Sequence, residues 1–147
     1  MALDAQFFSK LRKTVIPMFR KTIFDDEEMA NGSKFPGYRE PYATMKASGS
    51  LKRQDAASAG STAPFVSGDL KNSFQFIKTI QNGFIFGTIY GGRVDELEKK
   101  GRLITTDKHP VPKDVEQHIL NEAIKYTSKK FKKIKAKYHG KKVRINL

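Results

Sequence analysis

The residue types in this chain that can do chemistry are three histidines, a run of four acids, serines around a glycine, and a block of lysines near the end. His109, His118 and His139 are scattered, without the i,i+4 or cysteine-paired spacing that holds zinc. Asp25-Asp26-Glu27-Glu28 offers four carboxylates, but adjacent side chains diverge and no EF-hand loop follows, so a solvated turn is expected. Ser67 and Ser73 flank Gly68 without forming the Gly-x-Ser-x-Gly elbow of a serine nucleophile. Gly87, Gly91 and Gly92 lack the Gly-Lys-Ser/Thr ending of a phosphate loop, and Gly91-Gly92 reads as a strand end. Glu96 and Glu98 stand two apart on a helical stretch, so they do not face each other. The chain has no cysteine, which excludes disulfides and thiolate metal sites. The expectation is a protein that is not an enzyme, with no catalytic residue, cofactor or metal.

The remaining chemistry is charge. The formal charge is +13 and the pI near 9.9. No acid follows Glu122, while ten cations do: Lys125, Lys129, Lys130, Lys132, Lys133, Lys135, Lys137, Lys141, Lys142 and Arg144. Such a block suits a polyanion, either nucleic acid or an acidic protein surface. It suits equally a solvated, lysine-rich helix. Lysine is a poor base reader, and there is little arginine for bidentate contacts.

These residues need elements to hold them. Asp4 to about Phe24 reads as an amphipathic helix, capped by Asp4, with Phe7, Leu11, Val15, Met18 and Phe19 on one face and Pro17 kinking or splitting it. Its basic face suits a membrane surface, but apolar residues at this spacing more often form core. Gly32 to Ala63 is loop-rich, with a short helix at Pro41–Ala47. A loop of that length points to a functional or assembly-ordered segment. Val94–Lys100 is a short helix stopped by Gly101, Arg102–Thr106 a short strand, and Pro112 opens a last helix running to about Tyr138. Lys141–Leu147 alternates charged and aliphatic residues, as a final strand would.

The chain's centre is a hairpin. Asn82-Gly83 separates two β-rich runs, Phe74–Gln81 and Phe84–Tyr90, and Asn-Gly favours a two-residue turn with positive φ. With Asn82 and Gly83 as the loop residues, one face carries Phe74, Phe76, Ile80, Ile85 and Ile89 and reads as core. The other carries Ile77, Phe84, Phe86 and Tyr90 among polar residues and reads as a packing surface for a second chain. Phe35, Tyr38 and Tyr42, in the long loop, are further candidate contacts. The expected fold is α+β: an N-terminal helix, a central antiparallel hairpin or sheet, and a long basic C-terminal helix packed on the sheet. Residues 1–147 are expected to form a single domain, with an extended loop at about 32–63 and a basic helix or tail at about 112–147. No apolar run is long enough to span a bilayer, and charges interrupt the N-terminus too soon for a signal-peptide core. Folding in the cytoplasm, without a membrane partner, is expected.

The order of these pieces resembles the neck, tail-completion and virion-morphogenesis proteins of tailed bacteriophages, which build or close the head–tail joint. The likeness rests on the basic N-terminal helix, on Asn31-Gly-Ser-Lys-Phe-Pro-Gly-Tyr38 with Lys46 after it, and on Ser67-Gly-Asp-Leu-Lys-Asn-Ser73 before a hairpin. Gly68, Leu70 and Ser73 match the family's Gly-x-Leu-x-x-Ser signature, and Tyr90, Glu98–Gly101, Pro110–Pro112 and the final helix follow in order. The spacing from Glu98 to Gly101 is one residue longer than the family's, and Pro110-Val-Pro112 stands in place of Arg-Pro-Phe. The resemblance implies a structural virion protein, assembled in the host cytoplasm. It would form a homo-oligomeric ring against portal, connector and tail subunits, close to packaged DNA. A simpler reading makes Gly68 a turn glycine, Leu70 a core residue and Ser73 a strand start. The alternative function is a basic nucleic-acid-binding module, ribosome-associated or nucleoid-like.

Overall fold

The Asp4 carboxylate accepts from the Phe7 amide at 2.9 Å, satisfying one of the donors that a helix start leaves bare. Helix α1 then spans Ala5–Arg20 and passes into a wider π-type turn at Lys21–Asp25. The computed structural model describes residues 3–65, 67–128, 131, 133–139 and 142–147. Pro17 does not split α1. It lies on the exposed side, where water can take the carbonyl its ring frees. The inner side buries Phe7, Phe8, Leu11, Val15, Ile16 and Phe19, and the π-type turn adds Ile23 and Phe24.

Among the described residues four more α-helices follow, α2 at Tyr42–Ser48, α3 at Asp69–Ser73, α4 at Gly91–Lys99 and α5 at Lys113–Thr127, with a single 3-10 turn at Ala56–Ser58. The strands are β1 at Gln75–Ile80, β2 at Gly83–Gly87, β3 at Lys135–His139 and β4 at Lys142–Asn146. They form one antiparallel sheet in the order β1-β2-β4-β3, two hairpins joined along the β2–β4 seam. The molecule is thus α+β, with an N-terminal helix on a four-stranded antiparallel sheet. The joint is phenylalanine-rich. The Phe19 ring lies 5.1 Å from Phe74 and 5.2 Å from Phe86, and Phe24 packs on Phe65 and Phe74. Helix α5 closes the other side of α1 with Val115, Ile119, Leu120 and Ala123. Thr22 donates to Asp114 at 2.6 Å, and Phe7 packs on Tyr126. Two basic residues of α1 serve the fold. The Arg12 guanidinium lies 3.8 Å over the Phe76 ring, and Arg20 donates to the Phe74 carbonyl.

Several expectations are corrected. The last helix does not reach Tyr138: it ends at Thr127, capped by Ser128 with φ +58°, and beyond it Lys135 and Lys137 lie in β3 and Lys142 and Arg144 in β4. Ile134 and Tyr138 are spaced for a helix face, but Ile134, Ala136 and Tyr138 also alternate. The strand wins because Ala136 and Tyr138 meet Ile145 and Val143 of β4.

The hairpin loop is Gln81-Asn82, with Asn82 at φ +55° and Gly83 already inside β2 opposite Ile80. A bulge at Ile77 shifts the pairing, so Phe76 faces Phe86. Phe84 and Phe86 are completely buried, while Ile89 is 78% exposed and Ile77 44% exposed. The inner and outer faces are therefore the reverse of expectation on β2, because that strand is central and its phenylalanines meet α1.

Gly91-Gly92 opens α4 rather than ending a strand. Arg102–Thr106 is irregular, its polar groups taken by turns such as Thr105 to the Pro110 carbonyl at 2.7 Å. Among the described residues, no helix is long and apolar enough to cross a membrane.

Candidate polyanion face and subunit contacts

The sheet has two unlike faces. Phe84, Phe86, Tyr138, Val143 and Ile145 point inward and are buried. The alternate residues point outward, and none of the four strands contains an acid. Pairing sets the outward residues in rows. Lys78 stands opposite Ile85, Ile85 opposite Arg144, and Arg144 opposite Lys137, one row across the whole sheet. Lys142, opposite Gly87, and Lys135, opposite Asn146, lie in the rows on either side. These five cations are exposed, and none has an ion pair or hydrogen bond among the described residues. Ile85, Lys137, Lys142 and Arg144 line one hollow.

The expected tail contacts thus divide. Lys135, Lys137, Lys142 and Arg144 come together on the sheet, and Lys78 of β1, which was not among the expected contacts, joins them. Lys125 sits on α5 beside Glu122, and Lys133 is exposed ahead of β3. Lys129, Lys130, Lys132 and Lys141 lie outside the described residues.

A second cluster folds the long loop onto the core. Lys46 is buried, with no carboxylate paired to it among the described residues. Its ammonium donates to the Ala63 carbonyl at 2.6 Å and to the Tyr38 hydroxyl at 3.3 Å, and lies 4.5 Å from the Tyr38 ring centre. The Arg102 guanidinium lies 3.8 Å from the same ring centre, and donates to the carbonyls of Thr62 and Gly37. Burial, helped by the Arg102 charge, pulls the Lys46 ammonium down to about 8. Burial pushes the Tyr38 phenol up to about 12. Glu27, at φ +57°, ties the far side of the loop by accepting from the Thr62 amide and hydroxyl, and the amide bond holds its carboxyl below the usual range. The four acids therefore do not form a solvated turn alone: Asp25 pairs with Lys71, Asp26 with Lys21 and Glu28 with Lys34. Sequence reasoning missed Arg102 and Glu27.

The signature residues are fold determinants. Gly68, at φ +87°, turns the chain into α3, and Leu70 is buried. The Ser73 hydroxyl bonds the Leu70 carbonyl at 2.6 Å and the Thr88 hydroxyl at 2.5 Å, tying α3 to the end of β2. Gly83 is required by close approach, since a Cβ there would lie 1.9 Å from the Ile145 carbonyl oxygen.

Of the expected subunit contacts, Phe35, Phe84 and Phe86 are buried in the core and cannot meet a second chain. Tyr38 is held in the loop cluster. Tyr42 and Tyr90 remain exposed, and with them stand Met45, Ile77 and Ile89. Edge strand β1 carries Ile77, and Ile89 and Tyr90 follow the strand beside it. The chain matches no family model, no curated protein and no solved structure.

Proposed function

We propose that this chain is a structural protein of a tailed-phage virion, a ring-forming subunit of the head–tail joint that links portal or head to tail. The observation that carries the reading is how the family-like residues are used. Tyr38, Lys46, Gly68, Leu70 and Ser73 all hold the loop and the corner that lead into the hairpin. Beside that corner the fold leaves Ile77, Ile89 and Tyr90 exposed. Ile89 is the most exposed large apolar side chain described, and a ring contact would cover it.

The test is mass by light scattering, for the chain alone and mixed with portal and tail components. A discrete oligomer, or a co-complex with either component, is expected, and Ile89→Asp should abolish it while leaving the fold intact. A compact monomer unchanged by both components overturns the reading.

A further inference from the structure

We propose that the open face of the four-stranded sheet binds the phosphate backbone of double-stranded DNA without reading its sequence. This goes beyond the head–tail role and stands for a chain of any other role.

The face is small, acid-free and densely charged. Strands lie about 4.8 Å apart and alternate residues along a strand about 6.7 Å apart, so the three rows cover roughly 14 by 13 Å. Five cations occupy that area: Lys78, Lys135, Lys137, Lys142 and Arg144. Arg144 faces Lys137 directly across the β3–β4 pair. Like charges opposite each other destabilise a sheet unless an anion lies over them. The sheet alternates charged residues outward with Tyr138, Val143 and Ile145 inward, so the core fixes the array.

The make-up of the face selects the occupant. An acidic protein surface would need apolar anchors at its centre, and the centre of the face offers the half-buried Ile85 alone, with Ile80 at the far corner opposite Gly83. A single strand would need aromatic platforms for its bases, and no aromatic residue stands outward in the charged row. Four of the five cations are lysines, point charges that suit phosphates and give no base readout. Gly83 and Gly87 flank Ile85 along β2, so the middle of the face is low and open to a rod-shaped polyanion. Duplex DNA carries one charge per roughly 1.7 Å of axis, a density to match.

The experiment is fluorescence anisotropy of a short labelled duplex of mixed sequence, titrated with the full chain between about 50 and 200 mM salt. Five phosphate contacts predict a slope of log affinity against log salt of about −4.5. The double variant Lys137→Ser, Arg144→Ser should flatten the slope by about two and weaken binding roughly thirty-fold at about 0.15 M salt. Lys10→Ser with Lys13→Ser, on the outer side of α1, should leave both unchanged, and far-UV dichroism checks that each variant folds. Absence of binding at low salt overturns the proposal. So does a sheet variant with an unchanged slope, which would place binding on the lysines between α5 and β3. Tighter binding of a single strand or of polyglutamate at equal charge overturns it in favour of those partners. Light scattering on the same samples keeps the ring separate: DNA binding by a monomer supports this face and counts against the joint.

Discussion

A lysine buried without a carboxylate is the residue on which the long loop turns. Lys46 keeps its ammonium among carbonyl and phenol oxygens and over an aromatic ring, so its charge is tolerated at a cost in desolvation. Its folded pKa, about 8, lies below the ordinary 10.5. Between those values the unfolded chain binds more protons than the folded one, so stability rises with pH across that window and the gain is lost as pH falls back through about 8. Tyr38 acts with the opposite sign at higher pH. Its folded pKa is about 12 against 10.0, so its share of stability is present below 10 and lost as pH climbs toward 12. Urea melts of the chain and of Lys46→Met across this range should show the wild-type rise between about pH 8 and 10 disappear in the variant. At pH 7 the variant should lose about 1 kcal/mol with the ammonium's bond to the Ala63 carbonyl, which still accepts from the Phe65 amide and the Tyr38 hydroxyl. A variant with the wild-type pH profile would place the titration elsewhere. Tyr38 and Lys46 were legible in the sequence as a motif, although Tyr38 was read as a contact residue. Arg102 and Glu27 were not, because their main partners in the loop are backbone groups of Gly37 and Thr62, which leave no signature in residue type.

At the scale of elements, the hairpin shows what a turn signal does and does not fix. Asn-Gly located the reversal correctly, but either Gln81-Asn82 or Asn82-Gly83 can be the loop pair. Gln81-Asn82 forms because Gly83 is needed in the strand, where β4 passes too close for a side chain. Gly83→Ala pushes a Cβ into the Ile145 carbonyl, a backbone atom that cannot rotate away. It should therefore destabilise the fold by at least about 2 kcal/mol, read from the denaturation midpoint. Asn82→Gly, at an exposed position of positive φ, should move it by less than about 0.5 kcal/mol. Equal effects would return Gly83 to the role of an ordinary turn residue. The inverted faces have a related cause. Alternation shows that two faces differ, and only packing decides which is inner. A single bulge at Ile77 and the approach of Phe19 settled that for Phe84 and Phe86.

Across the whole molecule, the charge that looked like an appendage is half of the sheet. A solvated lysine-rich tail can be removed with little effect on stability. Here Val143 and Ile145 are fully buried, and β4 pairs with β2 along its whole length, from Gly83 opposite Asn146 to Gly87 opposite Lys142. Tyr138 reaches back to α4, donating to Asp95 at 2.6 Å. Ending the chain after Ser128 would strip these residues away and turn β2 from a central strand into an edge with bare backbone groups beside Phe84 and Phe86. The shortened chain should lose its cooperative thermal transition and its near-ultraviolet dichroism, and expose apolar surface to a hydrophobic dye. A truncated chain that melted sharply would show that α1, α5 and the first hairpin form a sufficient core. The basic block would then be free to serve only a partner. If the transition is lost, the outward cations Lys135, Lys137, Lys142 and Arg144 sit on strands whose inward residues the core requires, and changing the charges one at a time becomes the way to separate binding from folding.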